Sequence, residues 1–281
     1  MNEKVTLVIP NFNGSQNIDS LIPRVIEENF DAVFVVDDCS TDSSLELLNA
    51  YSGEVSVLAG DKNLGAGGNR NRILNVVTEG IIMFLDIDTE LITEGVVTKA
   101  REIFKDEEVA LVGGLLLDRS GVPMSWNFGP EMHPFEDAQA LVYENMANDF
   151  SNNQEVLDYI YQHAMPYSDS WSVFNKDPIE REVDWVAEGN FCIRASVFTE
   201  LSGFDQNMRY HEAHDIGKRV RALGYKVKFS PEIVAKHLEI EVRGQSREID
   251  FKKAQQYFYK KHWGMSENVF DGLFRSGSET S

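Results

Sequence analysis

The first third of the chain carries short apolar runs that are closed by amides or carboxylates, and this pattern constrains the fold more than any other feature. The runs are Val5–Ile9, Ala32–Val36, Val55–Leu58 and Ile81–Leu85. Between them, apolar residues recur at helical spacing: Ile18, Leu21, Ile22, Val25 and Ile26 within Asn17–Glu28, then Leu45, Leu47 and Leu48, then a stretch through Arg72 and Val77. Ser40 or Thr41 is expected to cap the second of these helices. Strands that are apolar without alternation are buried on both faces. Helices between such strands make the sheet parallel. Ligands of parallel sheets gather outside the carboxyl ends of the strands. Asn11, Asp37, Asp38, Asp86 and Asp88 all fall there.

Further along, Glu94–Phe104 reads as a helix and Val109–Leu117 as a strand. Residues 118–180 lose periodicity but carry Trp126, Phe128, Phe135, Tyr143, Tyr159, Tyr161, Tyr167, Trp171 and Phe174. Aromatic side chains in such a segment pack a small subdomain or stack on sugar rings. Regular structure returns over Val183–Ile193 with a strand pair or a strand running into a turn, and then a helix over Arg194–Leu201, which Gly203 stops. A helix over Ala213–Leu223 ends at Gly224, a strand spans Tyr225–Phe229 with Pro231 after it, and an amphipathic helix closes the chain over Asp250–His262.

With 281 residues, the chain holds one large α/β domain or two small ones. Its formal net charge of −20 disfavours nucleic acid and anionic lipid as partners. Cys39 and Cys192 form no CxxC pair, which argues against a disulfide scaffold or a thiolate zinc site. The amino terminus lacks the layout of a signal peptide, and no apolar run approaches the roughly 20 residues that span a bilayer. A cytoplasmic protein without an integral membrane segment is therefore expected.

The chemistry concentrates in three places. Asp86-Ile87-Asp88 sets two carboxylates on the same side of an extended segment. Two like charges beside an apolar strand are costly without a cation, and a hard divalent ion such as Mg²⁺ or Mn²⁺ is the natural partner. Asn63-Leu64-Gly65-Ala66-Gly67-Gly68-Asn69-Arg70 opens a helix with a glycine-rich turn, which can present N–H groups to phosphate, with Arg70 and Arg72 adding charge. Gly65 to Gly68 also suggests a dinucleotide loop. However, the G-x-G-x-x-G spacing fails at Arg70, and the loop follows the third strand instead of the first.

Taken in order, these segments resemble the family 2 glycosyltransferases, which have the GT-A fold. VIPNFNG, VVDDCSTDSS, NLGAGGNRNRIL and LDID are similar to the family's opening strand and nucleotide loop, its base-binding segment, its Asn-x-Gly segment and its metal-binding D-x-D. DWVAEGNFCIRASVFTELSGFD, residues 184–205, resembles the acceptor side of the rhamnosyltransferase-like branch. Arg72 departs from the pattern, where a small residue is usual. So does Ala213: the family's Glu-Asp pair reads Glu212-Ala213 here, and the missing acid is commonly the general base.

The resemblance implies a GT-A fold: a Rossmann-like, mostly parallel central sheet flanked by helices, with an acceptor-side elaboration. It implies one domain over residues 1–275, divided into a nucleotide-sugar half (1–117), an acceptor-side half (118–249) and a closing helix (250–275), with a disordered tail at 276–281. Pro10, Asn11, Phe12, Asn13, Asp37, Asp38, Asn63, Gly65, Arg70, Asp86 and Ile87 are the implied donor-binding residues. Trp185, Glu188, Gly189 and Asn190 belong to the acceptor side. Asp86, Asp88 and His237 hold Mn²⁺ or Mg²⁺. Glu212 is the implied base, with His211, His214 and Asp215 as alternatives. The expected activity is inverting transfer from a nucleoside-diphosphate sugar to a hydroxyl of a glycan, lipid-linked or protein acceptor, in bacterial cell-surface glycan or glycoconjugate synthesis. The rival expectations are a catalytically impaired nucleotide-sugar-binding protein and a nicotinamide-dependent oxidoreductase.

Overall fold

Strand β4, Ile81–Leu85, shows why a sheet forms at the centre of this chain. All five of its residues are buried. Ile81, Met83 and Leu85 join one apolar cluster, and Ile82 and Phe84 join another. Side chains alternate between the faces of a strand, so a run without polar residues needs a packed layer on each side. Each fully buried aliphatic or aromatic side chain there contributes about 1.5–3 kcal/mol. The computed structural model describes residues 3–124, 126–138, 149, 151–155, 178–238 and 247–274.

The other strands are β1 (Val5–Asn11), β2 (Ala32–Asp37), β3 (Ser56–Ala59), β5 (Thr89–Leu91), β6 (Val109–Leu117), β7 (Phe128–Gly129), β8 (Arg181–Glu182), β9 (Trp185–Val186), β10 (Asn190–Arg194) and β11 (Lys226–His237). The main sheet runs β3-β2-β1-β4-β10-β6-β11-β5, with β8 on β11. From β3 to β4 it is parallel. Strand β10 then enters antiparallel between β4 and β6, while β11 lies parallel to β6.

The helices are α1 (Ser15–Ile26), α2 (Ser44–Leu48), α3 (Gly65–Arg70), α4 (Val96–Ile103), α5 (Ala195–Glu200), α6 (Glu212–Ala222), α7 (Arg247–Trp263) and α8 (Glu267–Leu273). Helices α1 and α4 pack on one face of the sheet and α5 and α6 on the other. On the second face, Phe84 stacks on Phe191 with centroids 4.9 Å apart, and Phe198 and Phe204 close around it. A third cluster joins α7 and α8 through Phe258, Tyr259, Phe270 and Phe274.

Two expectations need correction. The last long strand does not stop at Phe229 but continues through Pro231 to His237. Its register against β6 shifts between Phe229 and Val234, so Pro231 sits where the ladder is interrupted and its missing N–H costs no ladder bond. Neither Ser40 nor Thr41 caps α2. Asp42 accepts the Ser44 N–H at 3.0 Å instead, and Ser40 is engaged elsewhere. The aromatic residues Tyr143, Tyr159, Tyr161, Tyr167, Trp171 and Phe174, and the tail 276–281, lie outside the described residues.

Candidate active site

Strands β1, β2 and β4 end side by side, and their terminal loops build one rim. Asn11 ends β1 and donates through Nδ2 to Asp37 Oδ2 at 2.7 Å and to Ser40 Oγ at 3.2 Å. Ser40 donates its N–H and its hydroxyl to Asp37 at 2.9 and 2.6 Å, and Ser40 Oγ accepts the Asn13 N–H at 2.9 Å. Asn13 Oδ1 in turn accepts from Thr41 N–H at 2.8 Å. Asp37 is fully buried, so its carboxylate pins the β1 loop to the β2 loop. Asp38 does the same for the next loop, accepting the N–H groups of Leu64 and Gly65 at 2.9 Å. Asn63 lies beside it, donating to the Asp38 carbonyl at 3.4 Å. Arg72 is drawn into this loop, with Nη2 on Asp38 at 3.2 Å and on the Lys62 carbonyl at 2.8 Å. Pro10 is half-buried, and Phe12 stands 41% exposed on the rim.

The end of β4 carries Asp86, Ile87 and Asp88. The Asp86 N–H donates to the Gly189 carbonyl at 3.1 Å, and Thr89 returns its N–H and hydroxyl to the Asp86 carbonyl. His237 ends β11 opposite Thr89, and the Leu238 N–H donates to the Asp88 carbonyl at 2.8 Å. Possible ligand atoms of Asp86, Asp88 and His237 lie within 4.8 Å of one another. A Cβ on Gly189 would sit 3.4 Å from Asp86 Oδ2 and 3.8 Å from His237 Cδ2, ordinary contact distances, so this residue lines the seat. Burial and the neighbouring Asp86 charge push the Asp88 carboxyl up, and a cation relieves that unfavourable pairing. Two carboxylates and an imidazole in an open cradle fit Mn²⁺ or Mg²⁺. Trp126, 40% exposed, stands edge-on to His237 with centroids 6.0 Å apart.

Arg70 is 2% exposed at the end of α3. Its Nη2 lies 2.6 Å from Asp86 Oδ1 and its Nη1 lies 3.1 Å from Glu188 Oε2. Burial would lower its pKa, but the charges of Asp86 and Glu188 outweigh that and raise it. Glu188 Oε1 also accepts the Ala213 N–H, the first turn of α6, at 2.6 Å. Asn190, fully buried, donates to the Ile233 carbonyl at 3.0 Å. Trp185 donates to the Pro130 carbonyl at 2.8 Å and packs on His214 with centroids 4.2 Å apart.

Glu212 is 5% exposed and lies by α3, its Cγ 3.6 Å from where a Gly67 Cβ would be. His211 has φ of 63° at the head of α6 and is buried, which pulls its pKa down to about 4. Burial and His211 hold His214 well below the usual imidazole range. Asp215 is fully buried among His262, Arg219 and Lys261 at 2.8, 2.7 and 2.6 Å. The structure thus brings Asp86, Asp88, His237, Arg70, Glu188 and Gly189 together and commits Asp215 to an internal ion network. Sequence reasoning missed the joint role of Arg70 and Glu188, which stand 118 positions apart. No local spacing signals such a pair.

A sheet with nucleotide-type loops at its carboxyl ends and a carboxylate-imidazole cluster on the strand beside its switch point defines the GT-A class. Solved structures agree. A mannosyltransferase from Pyrobaculum calidifontis, in complex with GDP-Man and Mn²⁺, matches with a TM-score of 0.60 at 14% identity, covering 97% of this chain and 68% of that one. TarS 1–349 of Staphylococcus aureus in complex with UDP matches with a TM-score of 0.55 at 14% identity, covering 98% and 76%. These likenesses establish the fold.

A model of glycosyl transferase family 2 matches residues 6–182, and the chain belongs to that family. The O-antigen chain rhamnosyltransferase RfbN of Salmonella typhimurium is 24% identical over 241 residues, which is 83% of this chain and 66% of that protein. The poly(ribitol-phosphate) beta-N-acetylglucosaminyltransferase TarS of Staphylococcus aureus (strain Mu50) is 27% identical over 132 residues, which is 43% of this chain and 23% of that protein. The chain therefore spans less than two thirds of the length of these curated relatives. Membership in this family sets aside the nicotinamide-dependent alternative. No helix among the described residues is long and apolar enough to cross a membrane.

Proposed function

We propose that this chain is an inverting, metal-dependent glycosyltransferase that moves a sugar from a nucleoside diphosphate to an acceptor hydroxyl, in bacterial cell-surface glycan synthesis. The observation that carries this reading is the cluster of Asp86, Asp88 and His237, with Gly189 lining it. When bound there, Mn²⁺ or Mg²⁺ would offset charge that develops on the departing diphosphate.

The chain's own residues do the remaining work. Asp37 and Asp38 fix the loops that cradle the nucleotide, and Phe12 offers a ring face on their rim. Arg70, already within reach of Asp86, adds a fixed positive charge beside the phosphates. Trp126 offers an indole face beside His237 for a sugar ring. A carboxylate at the head of α6 receives the acceptor's proton. The relatives whose names specify O-antigen and poly(ribitol-phosphate) support a cell-surface polymer as the acceptor.

The test is a thermal-shift titration with UDP, GDP and their sugars, with and without Mn²⁺, followed by measurement of released nucleoside diphosphate. A metal-dependent rise in melting temperature together with donor turnover is expected. Protein that neither binds nor turns over any donor would rule the proposal out. Binding without turnover would instead favour the impaired, sugar-nucleotide-binding reading that Ala213 prompts.

A further inference from the structure

We propose that Glu188, and not Glu212, is the acid that takes the acceptor hydroxyl's proton; this rests on the transferase reading above. Position 213 carries only a methyl group where the resemblance expects an acid. Yet the head of α6 does not lack a carboxylate. Glu188 reaches it from another part of the chain, with Oε1 on the Ala213 N–H at 2.6 Å.

The sheet explains how Glu188 gets there. Strand β10 runs antiparallel to β4 with Asn190 opposite Leu85. The residues before β10 therefore lie just past the end of β4, next to Asp86. Gly189 touches the metal seat, and Glu188 comes one residue earlier. Arg70 ties the two acids together, binding Asp86 through one nitrogen and Glu188 through another.

Access separates the acids around α6. The Glu188 side chain is 21% exposed, comparable to Asp86 at 24% and His237 at 17%. Arg70 links Glu188 to Asp86, which clusters with Asp88 and His237. Compared as whole residues, Glu188 is half-buried whereas Glu212 is buried, 5% exposed, beside α3 and Phe204, whose side chain approaches the same glycine. Asp215 is fully buried in its ion network. Glu188 is also held in place on both oxygens, by Arg70 and by the first turn of a helix whose dipole favours an anion. A fixed and accessible carboxylate next to the leaving-group site is what a general base requires.

The step balances simply. The acceptor's O–H bond breaks and its proton passes to a Glu188 oxygen. The acceptor oxygen forms a bond to the anomeric carbon. The bond from that carbon to the diphosphate oxygen breaks, and its electron pair leaves with the nucleoside diphosphate. Glu188 then returns the proton to water.

The test compares wild type, Glu188→Gln, Glu188→Asp, Glu212→Gln and the double variant Glu188→Gln/Ala213→Asp. The full chain is assayed with Mn²⁺ and UDP-glucose, UDP-N-acetylglucosamine and GDP-mannose, with water as the acceptor hydroxyl, reading released nucleoside diphosphate. Glu188→Gln should lose roughly a hundred- to ten-thousand-fold in turnover. Its affinity for UDP or GDP with Mn²⁺ should stay within about threefold of wild type, since the Gln amide oxygen can still accept from Arg70 and a general base acts on the acceptor. The low-pH limb of the rate profile should flatten in Glu188→Gln, and Ala213→Asp should restore part of the lost rate. Glu212→Gln should lose less than Glu188→Gln. If Glu188→Gln melts early, Glu188→Asp and the double variant carry the comparison.

Retention of most turnover by Glu188→Gln, a matching loss of nucleotide affinity, or a larger loss in Glu212→Gln would overturn the assignment while leaving the transferase reading intact. Absence of donor binding and turnover in wild type would defeat both.

Discussion

Asp215 tests how the carboxyl-terminal helix is held on the sheet. Its side chain is fully buried on α6, yet it meets Lys261 and His262 of α7 as well as Arg219 of its own helix. Burial alone would raise its pKa, but His262, Arg219 and Lys261 together hold it down to about 2. Asp215→Asn removes the anion and leaves its cations facing an amide. Loss of one partner from a buried ion network costs about 3–5 kcal/mol. The lower end is expected here, because Arg219 keeps the Leu201 and Gly203 carbonyls and Lys261 keeps Asp205.

With urea slopes of about 1–3 kcal/mol per molar, a loss of about 3 kcal/mol moves the midpoint by about 1 M or more. The acid limb gives a second reading. A group whose folded pKa is depressed stabilises above its unfolded pKa and loses that contribution as pH falls through the folded value. For Asp215 the window runs from 3.8 down to about 2, worth about 2.5 kcal/mol at ~1.36 kcal/mol per unit. Wild type should lose about 1.8 kcal/mol more than Asp215→Asn between pH 4 and pH 2, and most of the rest below pH 2. A midpoint shift below about 0.3 M at neutral pH, or acid limbs that run parallel, would refute the network as the strap for α7.

Other outcomes are expected. Asp88→Asn should weaken Mn²⁺ binding roughly tenfold or more, read by titration of the free-ion electron paramagnetic resonance signal; unchanged affinity would place the metal elsewhere. Gly189→Val should weaken that binding, because its branched carbons extend beyond a Cβ that would already contact Asp86 Oδ2 at 3.4 Å; unchanged affinity would show that position 189 does not line the metal seat. Gly113→Ala should cost about 1–3 kcal/mol by overpacking, since the new Cβ falls well inside contact distance of Val186; a melting temperature equal to wild type would contradict this. Cys192 is buried and its thiol is pushed up to about 12, so Ellman's reagent should titrate Cys39 in the native protein and both thiols after denaturation. Rapid labelling of both in the native state would show that β10 opens readily.

The half of the sheet that carries the nucleotide-type loops was legible because its signals are local. Ala32–Val36 and Ile81–Leu85 are apolar throughout, Val5–Ile9 is apolar but for Thr6, and each falls inside a strand of the structure. The polar residues that follow them land on one rim because parallel strands end on one side. The other half was less legible for an equally physical reason. Strand β10 enters antiparallel, so its start and not its end faces the site. Strand β11 runs through a proline, which local propensity reads as a stop, because a register shift absorbs it. Tertiary pairing decides both cases, and neither leaves a periodic trace.

The site divides along the same line. Asp86 and Asp88 could be read because two acids at a strand end repel each other unless something cationic joins them. Asp37 and Asp38 were also singled out, but the structure engages both carboxylates with protein donors, so that they shape loops first. The sequence flags an acid as important without saying whether its oxygens face a ligand or the chain. At the head of α6 that ambiguity becomes decisive. Glu212 occupies the position the pattern favours, yet it lies under α3, while Glu188 meets the same helix from across the sheet. The fold therefore satisfies a chemical requirement by spatial replacement: the carboxylate absent from position 213 along the chain is present within hydrogen-bond distance of its backbone. Motif reading aligned along the chain cannot detect such a replacement, because what it conserves is the place of the charge and not the place of the residue.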